Sequence, residues 1–378
     1  MTTHITKSNP PKVLIVGAGP TGLTAAVELA RHGIIPDLIE KRSTASNLSR
    51  AVGILPASMD LLEPSGVSAA IRQEAVAIEE VIFHQASNEF ARVPLIEKDQ
   101  LANPSLMALA QDRTETHLLQ AFERYGGRVR YGESLTELEQ DEHGVTVQIE
   151  HFQAQDNPQP LKSQYDYVIG ADGVRSAVRE SLGVTFAGFE IEGLWSIADV
   201  DCEDCTDITA FKIYLLSQGR VVVVVPLESA RFRVISNTDD ALAALPILMN
   251  ISNIRRAGAF PISVRQVEKY SVGRVFLAGD AAHCHSPAGG RGMNLGIADA
   301  ADLARRIAFD ASEGGLAGYH DARHAIGAST IAFSERGRKI VTSKNKLTQL
   351  LLRNTLRLIT RFPFIPRRIA INFLQMES

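Results

Sequence analysis

The apolar positions of this chain fall into short runs separated by glycines and polar residues, and the first run predicts the first element. Val13–Val16 contains no polar residue, which is typical of a strand buried on both faces. A helical run over residues 23–30 follows, Gly33 is placed to end it, and residues 37–39 are interpreted as the next strand. This order predicts a strand–helix–strand unit of a parallel sheet.

Three later segments predict further strands of the same sheet. They cover residues 129–131, 165–169 and 275–278, and the last two are followed by turns that contain Asp172 and Asp280. The carboxyl ends of parallel strands meet at one edge of a sheet, where ligands bind. We therefore expect both aspartates at the same edge as the turn after Val16.

The middle of the chain has a different pattern. Residues 81–84 and 90–93 predict a hairpin, and within 188–265 apolar residues such as Ile213 alternate with polar ones such as Lys212. This period of two predicts a half-buried antiparallel sheet. From residue 319 onward the pattern is helical.

Together these patterns predict an α/β fold: a Rossmann-like cofactor-binding domain with a parallel sheet, an antiparallel-sheet substrate domain and C-terminal helices. The cofactor domain is predicted to be discontinuous. Its segments are residues 1–80, 107–187 and 266–312, the substrate domain takes residues 81–106 and 188–265, and the helical region takes 313–378.

The turn after the first strand carries a specific chemical signal. Gly17–Gly22 is a G-x-G-x-x-G motif that opens a helix. Gly17 allows a tight turn, Gly19 lets the backbone approach a pyrophosphate, and Gly22 lets the helix pack closely on the strand. Glu40 follows at the spacing of an acid that accepts the ribose hydroxyls. The stretch predicts an adenine dinucleotide and leaves NAD and FAD both open.

Composition and charge exclude several classes of protein. The chain has 378 residues, of which 45% are apolar and 22% charged, as in ordinary globular proteins. The formal net charge of −4 gives no reason to expect nucleic acid. The N-terminus lacks an apolar signal-peptide core, no apolar run approaches transmembrane length, and the three cysteines suit a reducing compartment. We therefore expect a cytoplasmic protein.

Three short motifs have a functional and a plainer interpretation. His283–His285 resembles a metal-binding cluster, but adjacent residues cannot all face one ion, and we expect no metal site. Cys202 and Cys205 form a C-x-x-C in what is interpreted as an exposed acidic loop, with a redox or zinc site as the alternative. Lys41 and Arg42 are expected to be solvated near a pyrophosphate, with recognition of a 2′-phosphate as the alternative.

The C-terminal tail is basic and amphipathic. Residues 344–378 hold seven Lys or Arg and one Glu, with leucines between them. Such a tail could contact a membrane surface or cover a lipophilic substrate entrance. The plainer interpretation is a helix packed on the cofactor domain or across a dimer.

Four motifs together resemble a known family. They are Gly17–Gly22, Ser49–Gly53, the "DG" motif Gly170–Arg175, and the "GD" motif Gly279–His283 with its continuation to Gly296. The chain resembles class A flavoprotein monooxygenases, the para-hydroxybenzoate hydroxylase-like family, especially the phenol and polyketide hydroxylase branch. The matching segments cover residues 12–185 and 270–308.

The resemblance implies that the dinucleotide is FAD and assigns its contacts. Glu40 would hold the adenosine ribose, Arg50 and Gln111 would lie along the flavin, and Asp280 would bond the ribityl chain. No catalytic residue is identified, and Arg50 and Pro287, both beside the flavin, are the candidates. The implied cofactor-binding residues are Gly17, Ala18, Gly19, Pro20, Thr21, Gly22, Glu40, Lys41, Arg50, Gln111, Asp172, Asp280, Pro287, Gly290, Gly292, Met293 and Asn294.

The implied reaction is hydroxylation of an electron-rich aromatic ring. NADH or NADPH would reduce the flavin, O2 would add at C4a, and the distal oxygen of that hydroperoxide would pass to a small aromatic substrate. The protein is expected to be a monomer or homodimer. Two rivals remain: a non-oxygenating reductase or dehydrogenase of the same fold, and a flavin-binding regulator or carrier without turnover.

Overall fold

The computed structural model describes residues 10–45, 51–95, 106–151, 161–203, 205–309 and 315–361. Arg50 lies outside these residues. The strands are β1 (Val13–Val16), β2 (Asp37–Glu40), β3 (Gly53–Ile54), β4 (Val76–Ala77), β5 (Glu80–Gln85), β6 (Asn88–Pro94), β7 (Met107–Ala108), β8 (Val129–Tyr131), β9 (Glu133–Gln140), β10 (Val145–His151), β11 (Leu161–Tyr165), β12 (Tyr167–Gly170), β13 (Phe186–Glu190), β14 (Trp195–Cys202), β15 (Ala210–Leu215), β16 (Val221–Pro226), β17 (Arg231–Ser236), β18 (Ile251–Phe260), β19 (Ser263–Val267), β20 (Ser271–Val272), β21 (Val275–Leu277) and β22 (His283–Cys284).

The helices surround these strands. They are α1 (Pro20–Arg31), α2 (Pro56–Leu62), α3 (Val67–Glu74), α4 (Gln111–Arg124), α5 (Ala177–Ser181), α6 (Gly292–Phe309), α7 (Gly318–Val341) and α8 (Lys346–Arg361). Helix α6 begins two residues before the predicted Asn294, a difference within the usual fraying of helix ends. Within the described ranges, none of the helices combines the length and the apolar character needed to span a bilayer.

The first sheet has the strand order β20-β21-β12-β1-β2-β8. Its pairs are parallel except for β20 with β21, at one edge. Strands β1, β12 and β21 are almost fully buried, and α1 packs against both α4 and α6. The prediction of a parallel sheet is confirmed, and the turns after β1, β12 and β21 leave the same sheet edge.

The second sheet has the order β18-β14-β17-β16-β15-β5-β6, and its chain segments come from residues 80–94 and 195–260. Most pairs are antiparallel, as predicted. The exception is the parallel pairing of β15 with β5, with Ile213 opposite Phe83. A parallel pairing is possible here because β5 and β15 are separated by a long stretch of chain and not by a hairpin.

Two small sheets lie where the chain passes between the large ones. Strand β4 precedes the excursion through β5 and β6, β7 follows it, and both pair in the sheet β3-β7-β4. Strand β13 precedes the second excursion, β19 follows it, and these two pair over five residues. Strand β22 of the GD motif pairs with β19. Each excursion therefore begins and ends on hydrogen-bonded strands.

Candidate active site

The glycine-rich turn has the close backbone contacts that its sequence requires. Gly17 has a φ of 103°, and its N–H donates to the carbonyl of Ile39 at 2.8 Å. A Cβ atom on Gly22 would lie 1.9 Å from the carbonyl oxygen of Gly17. A Cβ atom on Gly19 would meet no protein atom within 4 Å, so there is space over this residue. Helix α1 begins at Pro20 without a side-chain cap, which leaves its first N–H groups available to a ligand.

Glu40 is buried and already holds several donors. Its carboxylate accepts hydrogen bonds from the Ala18 N–H at 3.0 Å, the Arg42 N–H at 2.9 Å and the Arg42 Nε at 3.0 Å. Burial acts to raise the pKa of Glu40, but the hydrogen bonds and charge of Arg42 lower it. The ion pair with Arg42 was not predicted, since both Lys41 and Arg42 were expected to be solvated; Lys41 is exposed.

Asp172 lies in the turn after β12. One carboxylate oxygen accepts a hydrogen bond from the Val178 N–H at 3.2 Å. The other, Oδ1, is buried and has no hydrogen-bond partner among the described residues. Burial raises the pKa of Asp172. An orphaned acceptor next to the glycine-rich turn suits a ligand that brings hydroxyl or N–H donors.

The GD turn packs tightly on α1. Gly279 has a φ of 59°, and a Cβ atom on it would lie 2.4 Å from the hydroxyl oxygen of Thr21. A Cβ atom on Gly296 of α6 would lie 2.3 Å from the same hydroxyl. The side chain of Thr21 therefore occupies the junction of α1, α6 and the GD turn, and Asp280 is exposed at the tip of that turn.

A buried carboxylate that the sequence did not predict supports the GD turn. Asp299 of α6 accepts hydrogen bonds from the Gly279 N–H at 3.0 Å and from Arg323 Nε at 2.7 Å, and it contacts His283 Nε2 at 2.5 Å. Burial acts to raise the pKa of Asp299, but the charges of His283 and Arg323 lower it to about 2. The network accounts for His283 without a metal ion.

The loop before α6 is shaped by two glycines with positive φ. Gly289 has a φ of 94° and Gly290 a φ of 62°, and the Gly290 N–H donates to the carbonyl of Pro287 at 3.0 Å. The side chain of Asn294 accepts from the Leu55 N–H at 2.8 Å and donates to the carbonyls of Gly53 and Gly290 at 2.9 Å. These bonds attach the first turn of α6, which includes Gly292 and the buried Met293, to β3.

Gln111 begins α4 and has a partner at each end of its amide. Its Oε1 accepts a hydrogen bond from the Ala51 N–H at 3.1 Å, and its Nε2 donates to Glu115 Oε1 at 2.9 Å. Burial raises the pKa of Glu115 to about 7. Gln111 is thus held beside the residue that follows Arg50.

One face of the second sheet carries a row of half-buried apolar side chains, which we call the platform row. Its members lie directly opposite one another across five strands. Three of them pack in a cluster that includes Leu55 and, on α6, Ala298, so this face packs toward α6 and the segment that follows β3. The platform row consists of Ile197, Ile235, Val223, Ile213 and Phe83.

The next row on the same face is charged at one end, where Asp199 lies opposite Arg233. Asp199 is fully buried and receives two bonds from Arg233, at 2.6 and 2.9 Å. Arg231 and Arg256 also donate to Asp199, at 3.1 and 2.5 Å. This cluster adds side-chain bonds across β14, β17 and β18 beside the platform row.

These features fit a bound FAD. The space over Gly19, the orphaned oxygen of Asp172 and the first turn of α6 all lie along the edge where the parallel strands end, which is where dinucleotides bind. The first turn of α6 also carries a partial positive charge, which suits the negative charge of a reduced flavin. Three members of the platform row pack in the cluster of Leu55, whose N–H donates to Asn294 in that turn.

Comparisons with known proteins agree with this geometry. The family described as FAD binding domain matches residues 11–334. Rifampicin monooxygenase from Streptomyces venezuelae is 34% identical over 343 residues, which are 84% of this chain and 69% of that protein. Pentachlorophenol 4-monooxygenase from Sphingobium chlorophenolicum is 31% identical over 358 residues, 88% of this chain and 65% of that protein. The chain thus spans about two thirds of these curated relatives.

A solved structure extends the similarity to the whole fold. The p-nitrophenol 4-monooxygenase PnpA from Pseudomonas putida DLL-E4 matches with a TM-score of 0.85 at 21% identity, over 98% of this chain and 99% of that chain. At this identity the match shows the fold, whereas the family match and the curated relatives show the kinship. The chain belongs to the FAD-dependent aromatic monooxygenases of class A, in their phenol and polyketide hydroxylase branch.

Proposed function

We propose that this protein hydroxylates a small, electron-rich aromatic substrate with NAD(P)H and O2, and that the ring lies on the platform row. The observation that carries the proposal is a row of five half-buried apolar side chains, three of which pack in the same cluster as Leu55 and Ala298 of α6. A row of apolar side chains suits an aromatic ring and excludes water from it. FAD supplies the redox and oxygen-transfer chemistry when it is bound.

The residues of this chain would bind and orient the flavin. Backbone N–H groups of Gly292–Asn294 would stabilise negative charge on its N1–C2=O edge, and Pro287 would lie beside its reactive edge. Asp280 would hold a ribityl hydroxyl. Glu40 would accept hydrogen bonds from the hydroxyls of the adenosine ribose, and the ion pair with Arg42 would keep the Glu40 carboxylate ionised.

The remaining predicted contacts follow the sheet edge. Asp172 would use its orphaned Oδ1 toward FAD or the pyridine nucleotide. The turn Gly17–Gly22 would hold the pyrophosphate, and Gln111 would lie along the flavin. We propose the same division into an FAD domain, a substrate domain and a C-terminal helical region as the sequence predicts.

The activity is tested by purifying the protein and measuring its FAD content, NADH and NADPH oxidation, O2 uptake and products with phenols, aminobenzoates, quinolones and polyketides. The expected result is substrate-stimulated NAD(P)H oxidation with one O2 consumed for each hydroxylated product. Reduction of the substrate without O2 uptake would favour a reductase or dehydrogenase. Bound FAD without turnover on any substrate would favour a regulator or carrier.

The platform row is tested by Ile235→Asp. A carboxylate on this apolar face must lose its water when the aromatic substrate binds. We expect this desolvation to raise KM for the substrate about tenfold, which corresponds to ~1.4 kcal/mol. FAD binding is expected to stay unchanged. Ile254→Asp on β18, where Ile254 is 52% exposed, is the control. Equal KM values for both variants would place the substrate elsewhere.

We also propose that the outward face of α8 contacts an anionic membrane surface. Helix α8 packs on β6 and α7, yet Leu347, Leu350, Leu351 and Leu358 are between 42% and 62% exposed. Helix α8 contains Lys346 and three arginines and no acid. Pairing of this face with a second copy would bring like charges together, whereas acidic headgroups would complement them.

Vesicle sedimentation tests this contact. The protein is expected to sediment with phosphatidylcholine vesicles containing phosphatidylglycerol, to remain in the supernatant with phosphatidylcholine alone, and to be released by about 0.5 M NaCl. Leu351→Asp with Leu358→Asp should abolish sedimentation. Leu161→Asp, at a side chain that is 56% exposed on β11, is the control. Loss of a dimer on gel filtration in the double variant, without vesicle binding in the wild type, would assign the face to a second copy.

A further inference from the structure

Ala51 has both of its backbone polar groups held by side chains from different parts of the molecule. Its N–H donates to Gln111 Oε1 at 3.1 Å, and its carbonyl accepts from Arg233 Nη1 at 3.1 Å. Gln111 belongs to α4, beside the parallel sheet, and Arg233 belongs to β17 of the second sheet. The two sheets are therefore joined through one residue of a loop.

Arg233 is unusual for a residue in this position. It is fully buried, and Asp199 holds its guanidinium through two oxygens at 2.6 and 2.9 Å. Burying a charged pair costs several kcal/mol, and an apolar pair of similar volume is often at least as stable. The bidentate pair fixes the plane of the guanidinium, so that its remaining nitrogen points at the carbonyl of Ala51.

The position of Arg233 links the platform row to the loop. Ile235 lies two residues along β17 on the same face, and Val225, directly opposite Arg233, packs in a cluster with Val52. The loop after Ala51 continues into β3, which Asn294 ties to the first turn of α6. A shift of β17 would thus reach the Ala51 peptide directly.

We infer that Arg233 is a positioning residue. It holds the Ala51 peptide, and with it the loop that leads to β3, at a fixed distance from the platform row. This inference rests on the proposed function, because it assumes that an aromatic substrate lies on the platform row and FAD beside the loop. The bonds of Arg233 go to Asp199 and to the carbonyl of Ala51. Its action passes through Ala51, with Gln111 holding the same peptide from the other side.

The test compares Arg233→Lys with Arg231→Lys. Both residues bond Asp199, but Arg231 makes no bond to Ala51. Lysine cannot hold Asp199 in a bidentate pair and reach the carbonyl of Ala51 at the same time. Arg233→Lys is expected to speed amide hydrogen exchange in the peptide 51–55 about tenfold in the apoprotein, whereas Arg231→Lys leaves it unchanged.

A second readout uses the holoenzyme with its best substrate. Arg233→Lys is expected to lower the fraction of NAD(P)H that yields hydroxylated product about fivefold, with the balance released as H2O2, while Arg231→Lys stays near wild type. Gln111→Met should speed exchange of the peptide 51–55 in the apoprotein, where its proposed flavin contact plays no part. The double variant should be no worse than the poorer single one, because both residues hold one peptide.

The outcomes separate the two proposals. Equal hydrogen exchange and equal product yield in the two lysine variants would overturn the role of Arg233. So would a double variant, Arg233→Lys with Gln111→Met, whose defect equals the product of the two single defects. If Arg233→Lys fails to fold, hydrogen exchange of the peptide 51–55 in the Gln111→Met apoprotein, where no flavin contact is involved, still tests whether side chains hold the Ala51 peptide. A wild-type protein that binds FAD but hydroxylates nothing would overturn the proposed function, and hydrogen exchange would still decide whether Arg233 holds Ala51.

Discussion

Replacement of Gly19 by alanine is expected to leave the fold intact and to weaken FAD binding about a hundredfold, or ~2.7 kcal/mol. Gly19 has a φ of −80°, which alanine adopts easily, and a Cβ atom there would meet no protein atom within 4 Å. The methyl group would instead occupy the space that the pyrophosphate needs to approach the backbone. Thermal unfolding of the apoprotein and a flavin fluorescence titration measure the two effects separately.

Two further glycine variants serve as controls for Gly19→Ala. Gly258→Ala on β18 also adds a Cβ atom with nothing within 4 Å, and it should change neither stability nor FAD binding. Gly22→Ala should destabilise the apoprotein itself, because its Cβ atom would lie 1.9 Å from the carbonyl oxygen of Gly17. Wild-type FAD affinity in Gly19→Ala would show that the pyrophosphate does not pass over this turn.

Replacement of Asp299 by asparagine is expected to cost about 3–5 kcal/mol in the free energy of unfolding, because it leaves the buried Arg323 without its anion. The same change loosens the bond to the Gly279 N–H that holds the GD turn. FAD affinity should therefore fall together with stability. Urea denaturation of the apoprotein, followed by flavin titration, measures both losses.

The pH dependence gives an independent check on Asp299. Its folded-state pKa is about 2, below the ordinary value of 3.8. A carboxyl with a lowered pKa stabilises the fold above its unfolded pKa and loses that contribution as the pH falls through the folded value. Wild-type stability should thus fall between about pH 4 and pH 2 more steeply than that of Asp299→Asn.

Asp302→Asn is the matched control on the same helix. Asp302 pairs with Arg305 and Arg306 at 3.0 and 2.8 Å, and its side chain is 19% exposed. These pairs keep contact with solvent through Arg305, which is 55% exposed, so we expect Asp302→Asn to cost only about 1 kcal/mol. If both variants lost the same stability, the buried network around Asp299 would have no special role.

The parallel sheet and its ligand edge could be predicted because their signals are local. Apolar runs such as Val13–Val16, each followed by a glycine turn, determine strand, turn and helix within about thirty residues. The alternation around Ile213 likewise identified a half-buried strand. Such patterns do not reveal which strand lies next to which, and the parallel pairing of β15 with β5 was missed for that reason.

The support of the site could not be predicted because it depends on long-range contacts. Asp299 reaches Gly279 across 20 residues and Arg323 across 24, and no short motif joins the three. The side chain of Asn294 reaches back 239 residues to Leu55. The ion pair of Glu40 with Arg42 is the one contact whose partners lie close together in the sequence. Their opposite charges did not distinguish an ion pair from two solvated side chains.

The paired strands at the base of each excursion have a consequence for how this fold can vary. Because β4 pairs with β7 and β13 with β19, the chain leaves and re-enters the cofactor layer at neighbouring points. Adjacent strands lie about 4.8 Å apart whatever the length of chain between them. Residues can therefore be inserted or deleted between β4 and β7, or between β13 and β19, without changing the spacing of these paired strands. Evolution can thus alter the second sheet while the turns after β1, β12 and β21 stay in place.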